Sequence, residues 1–367
     1  MNDNIFTPLF TITPVMRSAW EDLERQIWPV NNLLLMPKHE GWMRREVQVQ
    51  RAVGTTKIEG ASLDDAAVRR LIREGGGRNP TADEQANINS LQAYDFIDFL
   101  SDQQDISIDE LVIRQLNRFF MTGAAETLTP GVYRKGPGTV WNYTPPDQED
   151  VPGLMRALAL WLRQDAEDLH PVARAAMAHI QMIAIHPFWD GNGRTARGLA
   201  TLMLQRSSFH FRKLLSLEGY LSDKGQKYFS AVERTLGTQF ASDYDATPWL
   251  EFFTLALHEH VLEFVAGLTD WHRKMQEVYS NAAEQGWTPR QADGLVFAFQ
   301  AGKITRPDYI QITGVSPVTA SRDLASLVKA GILVPVVNTR ARVYFPLGEG
   351  AEAENAAMGT QLPLLAE

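Results

Sequence analysis

Twelve residues, His186-Pro187-Phe188-Trp189-Asp190-Gly191-Asn192-Gly193-Arg194-Thr195-Ala196-Arg197, bring together a base, a carboxylate, two glycines flanking an amide and two arginines three apart. Val172, Ala176, Ile180 and Ile183 recur at helical spacing ahead of them, so a helix is expected to end near Ile185. Gly198 to Gln205, apolar at Leu199, Leu202 and Met203, reads as the next helix, with Asp190 to Gly193 at its start. The free N–H groups and dipole of a helix start favour an anion, and Gly191 and Gly193 let the main chain approach it. Arg194 and Arg197, one turn apart on one side, can clamp further phosphate oxygens. Asp190 could hold a Mg²⁺ shared with those phosphates, and His186 stands on the opposite wall to take a proton from an attacking hydroxyl. The chemistry described is attack by a hydroxyl on a magnesium-bound nucleotide phosphate.

Simpler readings compete. Asp-Gly and Asn-Gly pairs are ordinary turn signals. A calcium loop fails, because Arg194 and Thr201 fall at its fifth and twelfth positions. A Walker loop fails because no Gly-Lys-Ser/Thr follows. The whole string, however, reads HPFxDGNGRxxR at every defined position and so resembles the Fic (filamentation induced by cAMP) family. That resemblance implies transfer of AMP from ATP to a protein hydroxyl, with pyrophosphate released. By the same resemblance His186 is the general base, Phe188 is buried to fix the loop and Asp190 binds Mg²⁺. Gly191, Asn192 and Gly193 cradle the α and β phosphates, while Arg194 and Arg197 orient the β and γ phosphates.

At 367 residues, 44% hydrophobic and 22% charged, two or three globular domains are expected. The absence of cysteine excludes disulfides and thiolate chemistry. No signal peptide or membrane span is read, so the expected location is cytoplasmic. Helices are expected over Arg17–Ile27 and Glu40–Val53, separated by Pro29 and Pro37. Thr55-Thr56-Lys57-Ile58-Glu59-Gly60 looks by itself like a helix end, with Gly60 as a left-handed cap. Beside the resemblance, Thr55, Glu59 and Gly60 match the family's inhibitory helix, S/T-x-x-x-E-G/N. Glu59 would then pair with Arg197, taking the guanidinium the γ phosphate needs.

Gly75-Gly76-Gly77 reads as a connector, followed by helices over Asp83–Leu100 and, behind a capping box at Ser107 and Glu110, to about Met121. Thr139 to Tyr143 is β-prone and reads as a short hairpin. The resemblance makes it the flap that docks the target, with Val140 and Trp141 in that role; the alternative is a surface hairpin. Further helices are expected over Val151–Gln164, Pro171–Ile185 and Thr247–Gln276. His179 is read as a core histidine, and Tyr228 as either stacking on the base or core.

Residues 287–347 carry seven Lys/Arg against three Asp, a net of +4 that leaves −13 for the rest of a chain whose total is −9. Asp308 to Leu324 reads as helix, glycine turn and helix, with Ser316 the cap and Pro317 at the first position. Ile332–Val337 and Ala341–Phe345 would make a hairpin. This pattern resembles a winged helix, with Thr319 and Arg322 facing a major groove and Arg340 and Arg342 on the wing; a protein-binding module is the alternative.

The expected fold is mainly α: a Fic-type helical bundle with a β-hairpin flap, plus a C-terminal winged helix. Expected domains are 1–100 (helical, with the inhibitory motif), 101–280 (catalytic), 287–347 (winged helix) and 348–367 (disordered tail). The expected function is a protein adenylyltransferase restrained by Glu59, using ATP and Mg²⁺ on a target hydroxyl and on itself, and forming a homodimer. The alternatives are a DNA-binding regulator with a nucleotide-sensing core, an enzyme removing AMP, or use of another donor.

Overall fold

A computed structural model describes residues 6–33, 35, 37–75, 79–123, 129–138, 140, 142–163, 169–338 and 341–346. The chain divides into two compact units, Met1–Phe264 and Val265–Glu367, with the division inside one long helix.

The first unit is helical: α1 (Pro14–Asn31), α2 (Pro37–Ile58), α3 (Asp65–Glu74), α4 (Ala82–Asp102), α5 (Glu110–Met121), α6 (Val151–Arg163), α7 (Pro171–Ile185) and α8 (Asn192–Gln205). A 3₁₀ turn (Ser208–Lys213), α9 (Leu217–Asp223), α10 (Gly225–Leu236) and the first part of α11 (Thr247–Glu284) complete it. At its centre α8 packs on α7, α4 and α5. Small residues permit this: a Cβ on Gly198 would stand 3.0 Å from both Ile97 and the Phe120 ring. The apolar side chains of α7 and α8 are almost wholly buried, each contributing roughly 1.5–3 kcal/mol when large. Trp249 of α11 is also buried, its Nε1 donating to the Ala176 carbonyl at 2.8 Å.

Helix ends differ from the sequence expectations in explicable ways. Pro37 opens α2, because a first-turn residue needs no N–H, and Pro29 is accommodated near the end of α1. The cap of α5 is Asp109, not Ser107; its carboxylate accepts from the Val112 N–H at 3.0 Å. α3 was not anticipated; it ends on Gly75 in the left-handed conformation, and residues 76–78 lie outside the described set. Of the expected hairpin, the described residues show one bridge, Val140 and Tyr143 exchanging both backbone hydrogen bonds at 2.9 Å. Pro145 and Pro146 have no N–H with which to extend a ladder. Thr144 bridges instead to the segment after α10, next to Gln239. Trp141 lies outside the described residues.

The second unit carries the remainder of α11, then α12 (Pro289–Ala301), β1 (Ile304–Thr305), α13 (Arg306–Thr313), α14 (Pro317–Lys329), β2 (Leu333–Asn338) and β3 (Ala341–Pro346). Its antiparallel sheet has the order β1-β3-β2, with Ile304 opposite Tyr344 and Val336 opposite Val343. Ser316 caps α14 as expected, its hydroxyl accepting from the Thr319 N–H at 3.3 Å. The inner face of α14 buries Ala320, Leu324 and Leu327. Asp323 belongs to that face, held by Arg290 at 2.6 Å and the Tyr309 hydroxyl at 3.0 Å. Arg322 and Arg342 are exposed, as is Val318 at 76%. Thr319 is half-buried, with its hydroxyl 3.0 Å from that of Ser316. Arg340 and the tail 348–367 lie outside the described residues.

Candidate active site

The loop joining α7 to α8 is fastened residue by residue. His186 caps α7 in the left-handed conformation (φ 47°, ψ 57°), its N–H donating to the Met182 carbonyl at 3.2 Å. Holding a non-glycine residue there costs on the order of 1 kcal/mol or more, so the surroundings must enforce it. Asn192 staples the loop shut: its Oδ1 accepts from Phe188 N–H at 2.9 Å and its Nδ2 donates to Phe188 O at 2.8 Å. Phe188 is buried against Tyr133. Gly191, at φ 76°, has no room for a side chain, since a Cβ would fall 2.7 Å from Met121. Asn117 of α5 donates to Asp190 O at 2.9 Å and accepts from Gly131 N–H at 2.9 Å.

Two arginines project from the first turns of α8. Arg194 reaches Asp190 at 3.1 Å; its buried Nε has no partner among the described residues, an orphan donor in a site suited to an anion. Asp190 is 50% exposed along its side chain, with Oδ1 also accepting from the Gly191 N–H. Arg197, only 1% exposed, donates from Nη2 to Glu59 at 2.6 Å and to the Thr55 carbonyl at 3.1 Å, and from Nε to the Thr55 hydroxyl at 3.0 Å. On its far side Nη1 lies 3.4 Å from the Tyr228 hydroxyl, itself 3.1 Å from His179 Nε2. His179 stacks on Trp249 at 4.5 Å, so the presumed core histidine also braces Arg197 through Tyr228.

The Glu59 carboxylate sits where an anion would. A Cβ on Gly193 would lie 2.5 Å from its Oε1, so the absent side chain of Gly193 makes its seat at the start of α8. Burial raises its pKa, but Arg197 first, then Arg194 and His186, outweigh this and hold it below the usual carboxylate value. Burial pushes His186 down to about 4, with Arg134 adding to the effect and Glu59 and Asp190 opposing it. The imidazole is therefore neutral near pH 7, the form a general base requires.

A cavity of about 270 Å³ opens beside these groups. Glu59, Val140, His186, Gly193, Arg197 and Tyr228 all line it, with Ile183, Phe229, Val232 and Leu236 supplying apolar wall. Asp190 and Arg194 stand on the adjoining loop and first turn of α8, and Thr55 reaches the site through Arg197. Gly60, at φ 96°, follows α2; its N–H donates to the Lys57 carbonyl at 3.0 Å, and a Cβ there would meet open space. Thr319, Arg322 and Arg342 belong to the second unit. Sequence reasoning missed Arg134 and Asn117, which bind the loop through main-chain groups and leave no local pattern.

The helix–loop–helix thus brings a neutral histidine, buried Arg197 and an N-terminal anion seat to one cavity, with Arg194 on the adjoining turn. Residues 107–204 match the model of the Fic/DOC family, so the chain carries a Fic domain. It is 31% identical over 170 residues to the protein adenylyltransferase Fic of Nematostella vectensis, covering 45% of this chain and 39% of that protein. It is 31% identical over 173 residues to protein adenylyltransferase fic-1 of Caenorhabditis elegans, covering 46% and 34% respectively. The matches thus span well under half of these relatives. In fold, the chain resembles a Fic family protein from Desulfovibrio desulfuricans, with a TM-score of 0.63 at 22% identity over 94% of this chain and 99% of that one. The C. elegans Fic-1 structure gives 0.59 at 20% identity over 70% and 73%.

Proposed function

We propose that this chain transfers AMP from ATP to a side-chain hydroxyl of a target protein, and that Glu59 restrains it. The observation that carries this reading is the Glu59 carboxylate seated on Arg197 and Gly193 at the start of α8, beside a cavity that also holds neutral His186. The same donors suit a nucleotide phosphate. With Glu59 displaced, Arg197, Arg194 and the first N–H groups of α8 would hold the β and γ phosphates. The acceptor oxygen then bonds to the α phosphorus as the bond from that phosphorus to the β-phosphate oxygen breaks. His186 takes the hydroxyl proton, and pyrophosphate leaves. Alignment and neutralisation of charge carry most of the rate.

Asp190 fits a magnesium ion that arrives with its phosphates: it is one half-exposed carboxylate, and no cluster of three metal-ligating side chains occurs among the described residues. Bound there, Mg²⁺ would neutralise phosphate charge. Val140, at the cavity edge, is the residue we assign to target docking by the flap. The chain's own hydroxyls and a second copy are further partners on this reading. No helix among the described residues is long and apolar enough to cross a membrane.

A second reading concerns the second unit. The exposed outer face of α14, with Val318 and Arg322, and exposed Arg342 on β3 favour a winged helix that contacts DNA.

Transfer of label from α-³²P-ATP and γ-³²P-ATP tests the main reading, using wild type, Glu59→Gly and Glu59→Gly/His186→Ala with Mg²⁺ and a cell lysate. Label from the α position alone is expected, raised by the first change and abolished by the second. Absence of label from every variant would sink AMP transfer. Loss of label from already modified protein in the presence of Glu59 would support AMP removal instead.

A further inference from the structure

We propose that Arg134 is a positioning residue that fixes the catalytic histidine relative to the flap. This rests on the transfer reading above. Arg134 lies in the loop between α5 and the flap, 2% exposed, and no carboxylate bonds to it among the described residues. Three main-chain carbonyls take its guanidinium instead. Nε donates to His186 O at 2.9 Å, Nη1 to Gly136 O at 2.9 Å and Nη2 to Pro146 O. Its own N–H donates to Pro187 O at 2.8 Å.

These acceptors are not neighbours in the chain. Gly136 precedes the Val140–Tyr143 bridge, Pro146 follows it, and His186 and Pro187 form the loop that carries the base. One side chain therefore holds both ends of the flap and the residue whose left-handed backbone aims the imidazole. Only a planar fork with several donors serves three carbonyls in different directions at once. Asp147 and Glu149 act on its charge through space without bonding to it, and a buried cation is costly to desolvate, so a merely structural tie would be better made by a neutral amide. A second strut runs parallel to it, Tyr143 Oη donating to Ala184 O at 2.8 Å.

Arg134 thus sets the distance between an acceptor hydroxyl laid on the flap and the nitrogen that takes its proton. Among the described residues its guanidinium bonds to no residue of α8, where the proposed phosphate seat lies. Its loss should therefore lower turnover and leave nucleotide affinity alone, since a misplacement of about 1 Å can cost on the order of 10²-fold in rate.

The test places Arg134→Lys, Arg134→Gln and Tyr143→Phe separately in Glu59→Gly protein. Lysine keeps the charge and loses the fork; Tyr143→Phe removes one strut at constant volume and covers the case in which the arginine variants misfold. We expect kcat to fall about 10–10²-fold for both arginine variants and a few-fold for Tyr143→Phe, with KM for ATP within twofold. In ¹⁵N-histidine-labelled protein without nucleotide, at fixed pH, the His186 ring resonances (assigned by their loss in His186→Ala) should move while those of His210 stay. Full activity in Arg134→Lys, a parallel change in kcat and KM, or unmoved His186 resonances would each overturn the proposal. If no variant transfers label yet the His186 resonances move, the positioning role stands and the transfer reading fails.

Discussion

Gly54 of α2 rests directly on the main chain of Gly219 in α9: a methyl group on residue 54 would stand 2.5 Å from the Gly219 nitrogen. One turn earlier Arg51, buried, donates to the carbonyls of Lys213 at 3.2 Å and Leu215 at 2.9 Å. The helix that delivers Glu59 is thus seated on backbone, which cannot yield as a flexible side chain would. Gly54→Ala should push α2 outward and loosen the Glu59–Arg197 contact, although residue 54 itself does not line the cavity. We expect self-labelling to rise several-fold and stability to fall by about 1–3 kcal/mol. Unchanged labelling alongside a lowered melting temperature would show that the seat and Glu59 are uncoupled.

Glu59→Gly should be less stable than wild type in the absence of nucleotide. It leaves Arg197 buried with only Thr55 and Tyr228 as partners. Because the Glu59 side chain keeps 35% exposure, the loss should be about 1–2 kcal/mol, below that of a fully buried pair. ATP with Mg²⁺ should then raise the melting temperature of the variant more than that of wild type. Equal shifts in scanning fluorimetry would argue that Glu59 and nucleotide do not compete.

The pH dependence of Glu59→Gly protein should lack the acid limb near 6.5 that an ordinary histidine gives. His186 is pushed down to about 4, so it stays neutral and able to accept a proton well below pH 6. Removing Glu59, which raises His186, moves the limb lower still. A folded value below the unfolded one contributes stability that is complete above about pH 6.5 and is lost as pH falls toward 4. A limb at 6.5 in the rate profile would contradict this environment. At pH 7.5, His186→Ala should cost about 10²–10⁴-fold in rate.

If the second unit binds duplex DNA, Arg322→Ala should weaken binding to random sequence about uniformly. It should also reduce the slope of log affinity against log salt by about 0.9. Arg290→Ala should act differently, since Arg290 holds buried Asp323 and its loss strikes the fold. Salt-independent affinity would point to a protein partner for this face.

The sequence made the helical pattern and the 186–197 loop legible because both are local: periodicity, caps and glycines act within a few residues. Glu59 was legible only beside the loop, since a lone Glu-Gly after a helix has an ordinary meaning. The third strand, β1, was hidden because two residues carry no alternation, and their pairing with β3 is made by residues forty positions away. Arg134 and Asn117 were hidden for a related reason. Apart from Asn117's bond to the Thr195 hydroxyl, their partners are main-chain groups, so no choice of residue type at position 186 or 190 betrays them. Tyr228 was read as either stacking on the base or core; it is buried and lines the cavity, and its hydroxyl faces Arg197 and His179, a relation only packing reveals.

The bond from Arg197 to the Thr55 carbonyl joins α8 to α2 within one polypeptide, and that has a kinetic meaning. A carboxylate delivered by the chain that it restrains is present at an effective concentration set by the seat of its helix, independent of how dilute the protein is. Dilution would leave such a restraint intact, and only nucleotide raised to outcompete it, or a partner that lifts α2, would release it. On the proposed reading, resting output would be written in the geometry of two helices instead of in the abundance of a separate inhibitor.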